Sequence, residues 1–523
     1  MPAKIVSSAG VSLLVAGLSL IGVTASALAQ NASPTPPPTS AAIPATAPAT
    51  QNPAAAAALA EVVAAMGAAD VTAITYSGTA WRIRNSFMQT PNASPPWPAR
   101  DAIANYRMTI DLGQPRLSAR GETYAQNLFL DPPVAGAYTL NIPATQRNWT
   151  QQLELWLTPW GFLHGAAKHG VEVSQRTVEG VAYTVLGWRS PEEQKSPAGL
   201  RYAVNGYVND KKLLARTETW VEHPFMGDFH IVQTYDGYRA IDGVMVPQTI
   251  EQWRGGGAVF GVHVTAATKN PAHLGELFPA PAAPGAAGGR GGAPGGAARG
   301  GGAPGGPGAA AIAPASLAER IDDNTYLING SYVSLVMAFS DHVLVFEAGE
   351  SEAGGRRVLD EVKRLFPNKP LRYLVNSHPH SDHTAGIVPF IRAGATLVTH
   401  ENNVAFLTQA LSTPRTLQGE ETLAPKVQGV KNVTVFEDNT NRLELHTIYN
   451  LHSDGMVVGF LPKQKILFQA DFSLPRPGVK ANSFVLELAN YVDRTGLDFV
   501  RYIPVHSGQG TPTKADLMAT IGK

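Results

Sequence analysis

Four side chains able to bind a metal or move a proton fall within six positions of one short run, Asn376-Ser377-His378-Pro379-His380-Ser381-Asp382-His383-Thr384-Ala385-Gly386. Histidine is scarce in this chain, 14 of 523 residues, so three in such a run are not background. On extended backbone, side chains two apart point the same way. His378 and His380 can therefore hold one metal, while Asp382 and His383, beyond the bend, can face a second. Imidazole nitrogens and carboxylate oxygens are suitable donors for zinc. The chain has no cysteine, which excludes disulfides, thiolate ligands and lipid attachment through a thiol.

The elements around this run must present it as a loop. The run directly follows an apolar strand, Leu371 to Asn376. Before it stand strand-like stretches Thr325 to Ile328, Tyr332 to Phe339 and His342 to Glu347, hairpin-like around Asn329-Gly330, then a helical stretch near Arg356 to Phe366. Strand and helix keep alternating afterwards, the order of sheets covered by helices.

The run resembles the signature of the metallo-β-lactamase superfamily, in which it is followed by a further His, an Asp and a last His. All three are present here: His452 in Asn450-Leu-His-Ser-Asp-Gly before the strand Met456 to Leu461, Asp471 ending Ile466-Leu-Phe-Gln-Ala-Asp, and His506 ending Tyr502-Ile-Pro-Val-His. The resemblance covers about Ala313 to Lys523 and implies an αββα sandwich. It implies two zinc ions per chain, one held by His378, His380 and His452, the other by Asp382, His383 and His506, with Asp471 bridging. Iron or manganese would suit the same donors. Two such metals about 3.5 to 4 Å apart share a hydroxide whose pKa falls towards about 7, a nucleophile at neutral pH without serine or cysteine. Asp382 doubles as the candidate catalytic proton acceptor. His446 and His400 are read as supporting or surface residues. Ser453 and Asp454 would orient the His452 ring, unless Asp454 only shapes the turn.

Two departures from the family pattern stand out: Ala385-Gly386 where Gly-Gly is usual, and His506-Ser507-Gly508 where His-Gly is usual. The resemblance also bears on the bond cleaved. Members that open β-lactams generally carry Cys or Ser at the bridging position, so Asp471 points to an ester, thioester, lactone or phosphoester. Three alternatives remain open at this stage: β-lactam hydrolysis, an iron-dependent oxidoreductase on the same ligands, and a carrier. Flavodiiron relatives typically place Glu where this chain has His380, which favours zinc.

The rest of the chain frames this domain in an α+β whole. Residues 1–29 read as a signal peptide, with Lys4 ahead of the apolar run Val11 to Ala25 and Ala27-Leu28-Ala29 before Gln30, so the expected location is periplasmic or secreted with no membrane span after cleavage. Residues 30–53 form a Pro- and Ala-rich leader. Residues 54–277 read as an accessory, mostly antiparallel β domain: an Ala-rich helix near Ala54 to Met66, then alternating strands including Tyr106 to Leu112, Val181 to Leu186, Ala215 to Val221, His230 to Tyr235 and Val246 to Trp253, with a turn at Asp242-Gly243. This pattern resembles periplasmic lipoprotein carriers, an unclosed β-barrel with a helix in its mouth. Residues 278–312 are nearly all Gly, Ala and Pro, a tether spanning about 30 Å as a flexible coil, so the two halves are expected to move independently. Residues 313–523 complete the chain as the catalytic domain. Lys plus Arg and Asp plus Glu are both 41, which gives no electrostatic reason for a nucleic-acid partner and leaves a small molecule as the expected substrate.

Overall fold

The computed structural model describes residues 52–83, 100–125, 134–279, 317–450, 452–475, 478–506, 510 and 512–523. The signal peptide, most of the leader and nearly all of the linker lie outside the described residues, as do Leu451, Ser507 and Gly508.

The N-terminal half is an antiparallel sheet domain. Its helix, Pro53–Ala65, begins where the Asn52 side chain accepts from the Ala54 N–H and a proline fills the first turn. Ala55, Leu59 and Val62 are its buried stripe, one face of a 3.6-residue period. Eleven strands form one sheet whose two ends are Val134–Ile142 and Glu172–Val178. A second helix, Pro159–His169, packs on strands Val181–Arg189 and Leu214–His223 and brings Trp160 to 6.0 Å from the Tyr76 ring. The expected strand Val246 to Trp253 is divided in two. Pro247 has no N–H to give a ladder, so Val244–Val246 pairs back on Arg239–Ile241, and Thr249–Arg254 starts afresh in the main sheet. The two-residue turn closing that short hairpin is Asp242-Gly243, both at positive φ (49° and 76°), as a type I′ turn requires.

The C-terminal half contains mixed sheets of seven and five strands. In the larger, Val343–Phe346, Leu371–Val375, Thr396–His400 and Lys426–Val430 run parallel, the first pair joined by helix Glu352–Leu365. Leu335, Met337, Phe346, Val375 and Val398 of the larger sheet share one buried core with Leu443, Leu445, Val457, Ile466 and Phe468 of the smaller. Val485, Leu488 and Val492 of helix Ser483–Thr495 bury against Met456, Val458 and Leu467. Every strand that ends at a ligand candidate is thus anchored in apolar core.

Helix Glu352–Leu365 starts one turn earlier than expected, because the Ser351 side chain caps the Gly354 N–H. Its Gly355 sits so close to the loop after the histidine run that a Cβ there would lie 2.2 Å from the Gly386 carbonyl oxygen, and a Cβ on Gly386 would lie 2.3 Å from that of Ala348. Gly386 is therefore the glycine this backbone approach demands, and Ala385 takes the other place of the usual pair.

The two halves are in direct contact. Asp228 N–H donates to the Pro414 carbonyl (2.7 Å), and the Asp228 carboxylate accepts from the N–H groups of Thr416 (3.1 Å) and Leu417 (2.9 Å) and from the Thr416 hydroxyl. Arg415, fully buried, donates to the Pro224 carbonyl and to Glu420, both at 2.8 Å. Gly227, at φ 63°, leaves no room for a side chain beside the Pro414 carbonyl. This docking corrects the expectation of independent movement: the tether's composition permits freedom, but buried hydrogen bonds elsewhere in the chain hold the halves together. Among the described residues, no helix is long and apolar enough to cross a membrane.

Candidate metal centre

Strand Leu371–Val375 delivers the histidine run to the edge of the shared core, and the chain then bends into the short helix Ser381–Thr384. The bend is held by backbone. Asn376 N–H donates to Val398 O, Val457 N–H donates to Ser377 O, and the Asn376 side-chain amide donates to His383 O at 3.1 Å. His378, His380 and His383 are all buried. His452 arrives on the loop before strand Met456–Leu461, where Asn450 Oδ1 accepts from the backbone N–H of His452 (2.7 Å) and Ser453 (3.3 Å). Asp471 follows strand Ile466–Gln469 at φ 64°, and His506 follows Arg501–Pro504. A non-glycine residue in the left-handed region is held there by its surroundings, and Asp471 is one placed so as to aim its carboxylate inward.

All seven candidates come together. His378 Nε2 lies 2.9 Å from His380 Nδ1 and 3.1 Å from His452 Nε2. Asp382 Oδ2 lies 3.5 Å from His383 Nε2 and 3.9 Å from His506 Nε2. Asp471 sits between, with Oδ2 at 3.2 Å from His378, 3.0 Å from His383 and 3.5 Å from His452, and Oδ1 at 2.8 Å from His506. The sets His378, His380, His452 and Asp382, His383, His506 each bring ligand atoms within 4.8 Å of one another, as does His378, His383, Asp471 between them. The other histidines stay outside: His446 pairs with Tyr491 and Glu444, and His400 Nδ1 accepts from the Asn402 N–H. Asp454 accepts from the Asn402 side chain (2.9 Å), so its bond belongs to the loop support. Asn403, donating to Gly455 O at 2.8 Å, braces the same loop.

The donor set fits metal ions. His380 Nε2, His383 Nε2, His506 Nε2 and Asp471 Oδ2 are buried yet make no hydrogen bond of normal geometry, a costly state unless a cation supplies the missing partner. The outer nitrogens explain why lone pairs face inward. His383 Nδ1 lies 2.9 Å from Glu347 Oε2, an acceptor-only group, so Nδ1 carries the proton and Nε2 is left as a donor atom to metal. Ser377 Oγ stands 3.0 Å from His378 Nδ1, within hydrogen-bond reach of that ring's outer nitrogen.

Charge tells the same story. Burial, with the neighbouring histidines, drives His378 well below its usual pKa, and burial and His452 bring His380 down to about 3, so both rings are neutral ligands at neutral pH. Burial opposes a charged His383 too, but the carboxylates of Asp471, Glu347 and Asp382 outweigh it and raise that ring well above the usual range. Burial would raise Asp471, yet the charge of His383 and the nearness of the His452 and His506 rings hold it well below. The second half of the site thus asks for positive charge.

The histidine run did not by itself reveal Glu347, Tyr332 or Phe484. Glu347, fully buried at φ 70°, accepts from the Ser377 N–H (2.8 Å) as well as His383. A carboxylate ending the all-apolar strand Val343–Phe346 was the available signal. Tyr332 donates its O–H to Asp382 Oδ2 at 2.6 Å, with its hydroxyl held far above the usual range by burial and then by that carboxylate. The Phe484 ring meets the His452 ring edge-on at 5.0 Å.

A sequence profile of the metallo-beta-lactamase superfamily matches residues 328–505. Solved structures similar to this chain include a metallo-beta-lactamase from Pontibacter korlensis, at 18% identity over 39% of this chain and 97% of that one, TM-score 0.31. The metallo-beta-lactamase SMB-1, bound to 2-mercaptoethanesulfonate, shows 15% identity over 39% and 93%, TM-score 0.30. A stereoselective inverting sec-alkylsulfatase from Pseudomonas sp. shows 16% identity over 39% and 41%, TM-score 0.30. No curated protein matches the chain. The C-terminal half of this protein carries a metallo-beta-lactamase superfamily domain.

Proposed function

We propose that this domain is a zinc-dependent hydrolase with two metals per chain, built as an αββα sandwich and carried on an exported protein beside its β accessory domain. The observation that carries the reading is the pair of donor triads meeting at Asp471, whose Oδ2 is buried without a hydrogen-bond donor of normal geometry. His378, His380 and His452 would hold one ion and Asp382, His383 and His506 the other, with Asp471 reaching both. Bound zinc would lower the pKa of a water towards about 7 and polarise the substrate's carbonyl or phosphoryl oxygen. The chain's own part is to keep the His378 and His380 rings neutral and aimed, to fix His383 through Glu347, and to offer Asp382 as proton acceptor at the second triad. A carboxylate at 471 in place of Cys or Ser favours a small-molecule ester, thioester, lactone or phosphoester over a β-lactam.

Metal content of the purified protein, measured by plasma mass spectrometry beside a His380→Ala variant, tests this. About two zinc per chain, reduced in the variant, together with turnover in a panel of ester, lactone, phosphoester and β-lactam substrates, is expected. Bound iron with redox activity, or no bound metal, would overturn it.

A further inference from the structure

We propose that Tyr332 is the positioning residue of the second triad, fixing Asp382 and His506 for that ion and leaving the first triad untouched. The inference rests on the metal-centre reading above and adds to it a residue that is itself no ligand.

Three ties converge on Tyr332. Its loop, between strands Thr325–Ile328 and Ser334–Ala338, pairs backbone to backbone with the ligand segment: Tyr332 forms an isolated antiparallel bridge with His506, and Val333 N–H donates to Val505 O at 2.8 Å. Its ring lies 4.5 Å from the His506 ring and 5.2 Å from that of His383. Its O–H donates to Asp382 Oδ2 at 2.6 Å. One side chain therefore touches every member of the second triad. The first triad is held by other means, Ser377 behind His378 and Asn450 with Phe484 around His452.

The hydroxyl is the selective part. A carboxylate is free to turn about its Cβ–Cγ bond, and ordering it for an ion costs rotamer entropy. Donation from Tyr332 pins one orientation before the ion arrives. Each carboxylate oxygen has two lone pairs, so Oδ2 can accept the O–H and still face the ion. Partners of this kind, behind a ligand, typically change metal affinity by about 10- to 100-fold. Tyr332→Phe removes the O–H and keeps both the ring packing and the backbone bridge, so it asks about the hydrogen bond alone.

The test uses the full-length protein, stripped of metal and titrated with zinc against a chromophoric chelator, then with cobalt(II) while the absorption spectrum is recorded at one and two equivalents. Wild type should bind in two steps. In Tyr332→Phe the first step should be unchanged, the second weakened by about 10- to 100-fold, and the cobalt spectrum altered only at the second equivalent. Tyr332→Ala should weaken the second step further, because the ring contacts go as well. Equal affinities and spectra for Tyr332→Phe and wild type would overturn the assignment, as would equal weakening of both steps, which marks a general packing role. Failure of wild type to bind any divalent ion would instead sink the metal-centre reading, and this inference with it.

Discussion

Two buried clusters in this chain each combine a carboxylate with histidine, and they solve opposite problems. In the N-terminal sheet, fully buried Glu218 accepts on Oε1 from the Tyr207 hydroxyl (2.7 Å) and the Asn205 amide (3.2 Å), and on Oε2 from Arg216 and His230 (3.1 Å). Burial works against its charge, but the bonds from His230, Arg216 and Tyr207 bring it down to about 2. Both Glu218 oxygens are filled there, so the cluster is closed at its carboxylate, and the atom left over, Arg216 Nε, is a donor. At the C-terminal site, nitrogen lone pairs and carboxylate oxygens face one another with no surplus of donors, and four buried ligand atoms, His380 Nε2, His383 Nε2, His506 Nε2 and Asp471 Oδ2, are left over. The balance of donors and acceptors, more than the residue types, separates a structural ion pair from a place for a cation.

The largest effect should come from breaking the closed cluster. Glu218→Ala strands buried Arg216 without its partner, for which about 3 to 5 kcal/mol of stability should be lost, read from urea unfolding. Zinc content should not change; a loss of zinc would break the comparison. Acid sharpens it. The folded pKa of Glu218 lies below its unfolded value near 4.5, so its contribution is complete above that pH and should fade as pH drops from there towards 2. Next comes the open site. Free zinc at a thousand times its Kd should stabilise the protein by about 4 kcal/mol, visible as a rise in the thermal midpoint that a chelator reverses. His378→Ala, which removes a donor common to two of the three ligand groups, should abolish most of that rise. The smallest expected change is Glu347→Gln, which keeps the shape but not the charge behind His383. It should weaken zinc binding by about 10- to 100-fold in a competition titration without unfolding the protein, and unaltered affinity would remove Glu347 from the site's support.

Much of the candidate site was legible before any coordinates. His378, His380, Asp382 and His383 announce themselves because ligand spacing on one loop is a local property. His452, Asp471 and His506 were legible only through resemblance, since nothing in a single histidine or aspartate says which distant loop it will meet. Glu347 and Tyr332 lie outside the run and act through it, and their hydrogen bonds span 30 to 50 residues of chain. In the fold, periodicity located the strands around Tyr106, Val181 and Leu371, but Pro247 cut the expected strand Val246 to Trp253, and a serine cap extended a helix back to Glu352.

The docking of the two halves shows the limit most clearly. Composition set the expectation of a tether over residues 278–312, nearly all of which lie outside the described residues, and residue types supplied donors that suit a metal. Only the tertiary structure decided that Asp228 receives the backbone of Thr416 and Leu417, nearly 190 residues away, and that Asp471 lies between His378 and His506. The physical reason is the same in both cases. Local sequence sets backbone preference and donor chemistry, whereas burial and long-range packing set which groups lose water together, and it is that shared loss of water that makes a contact or a site.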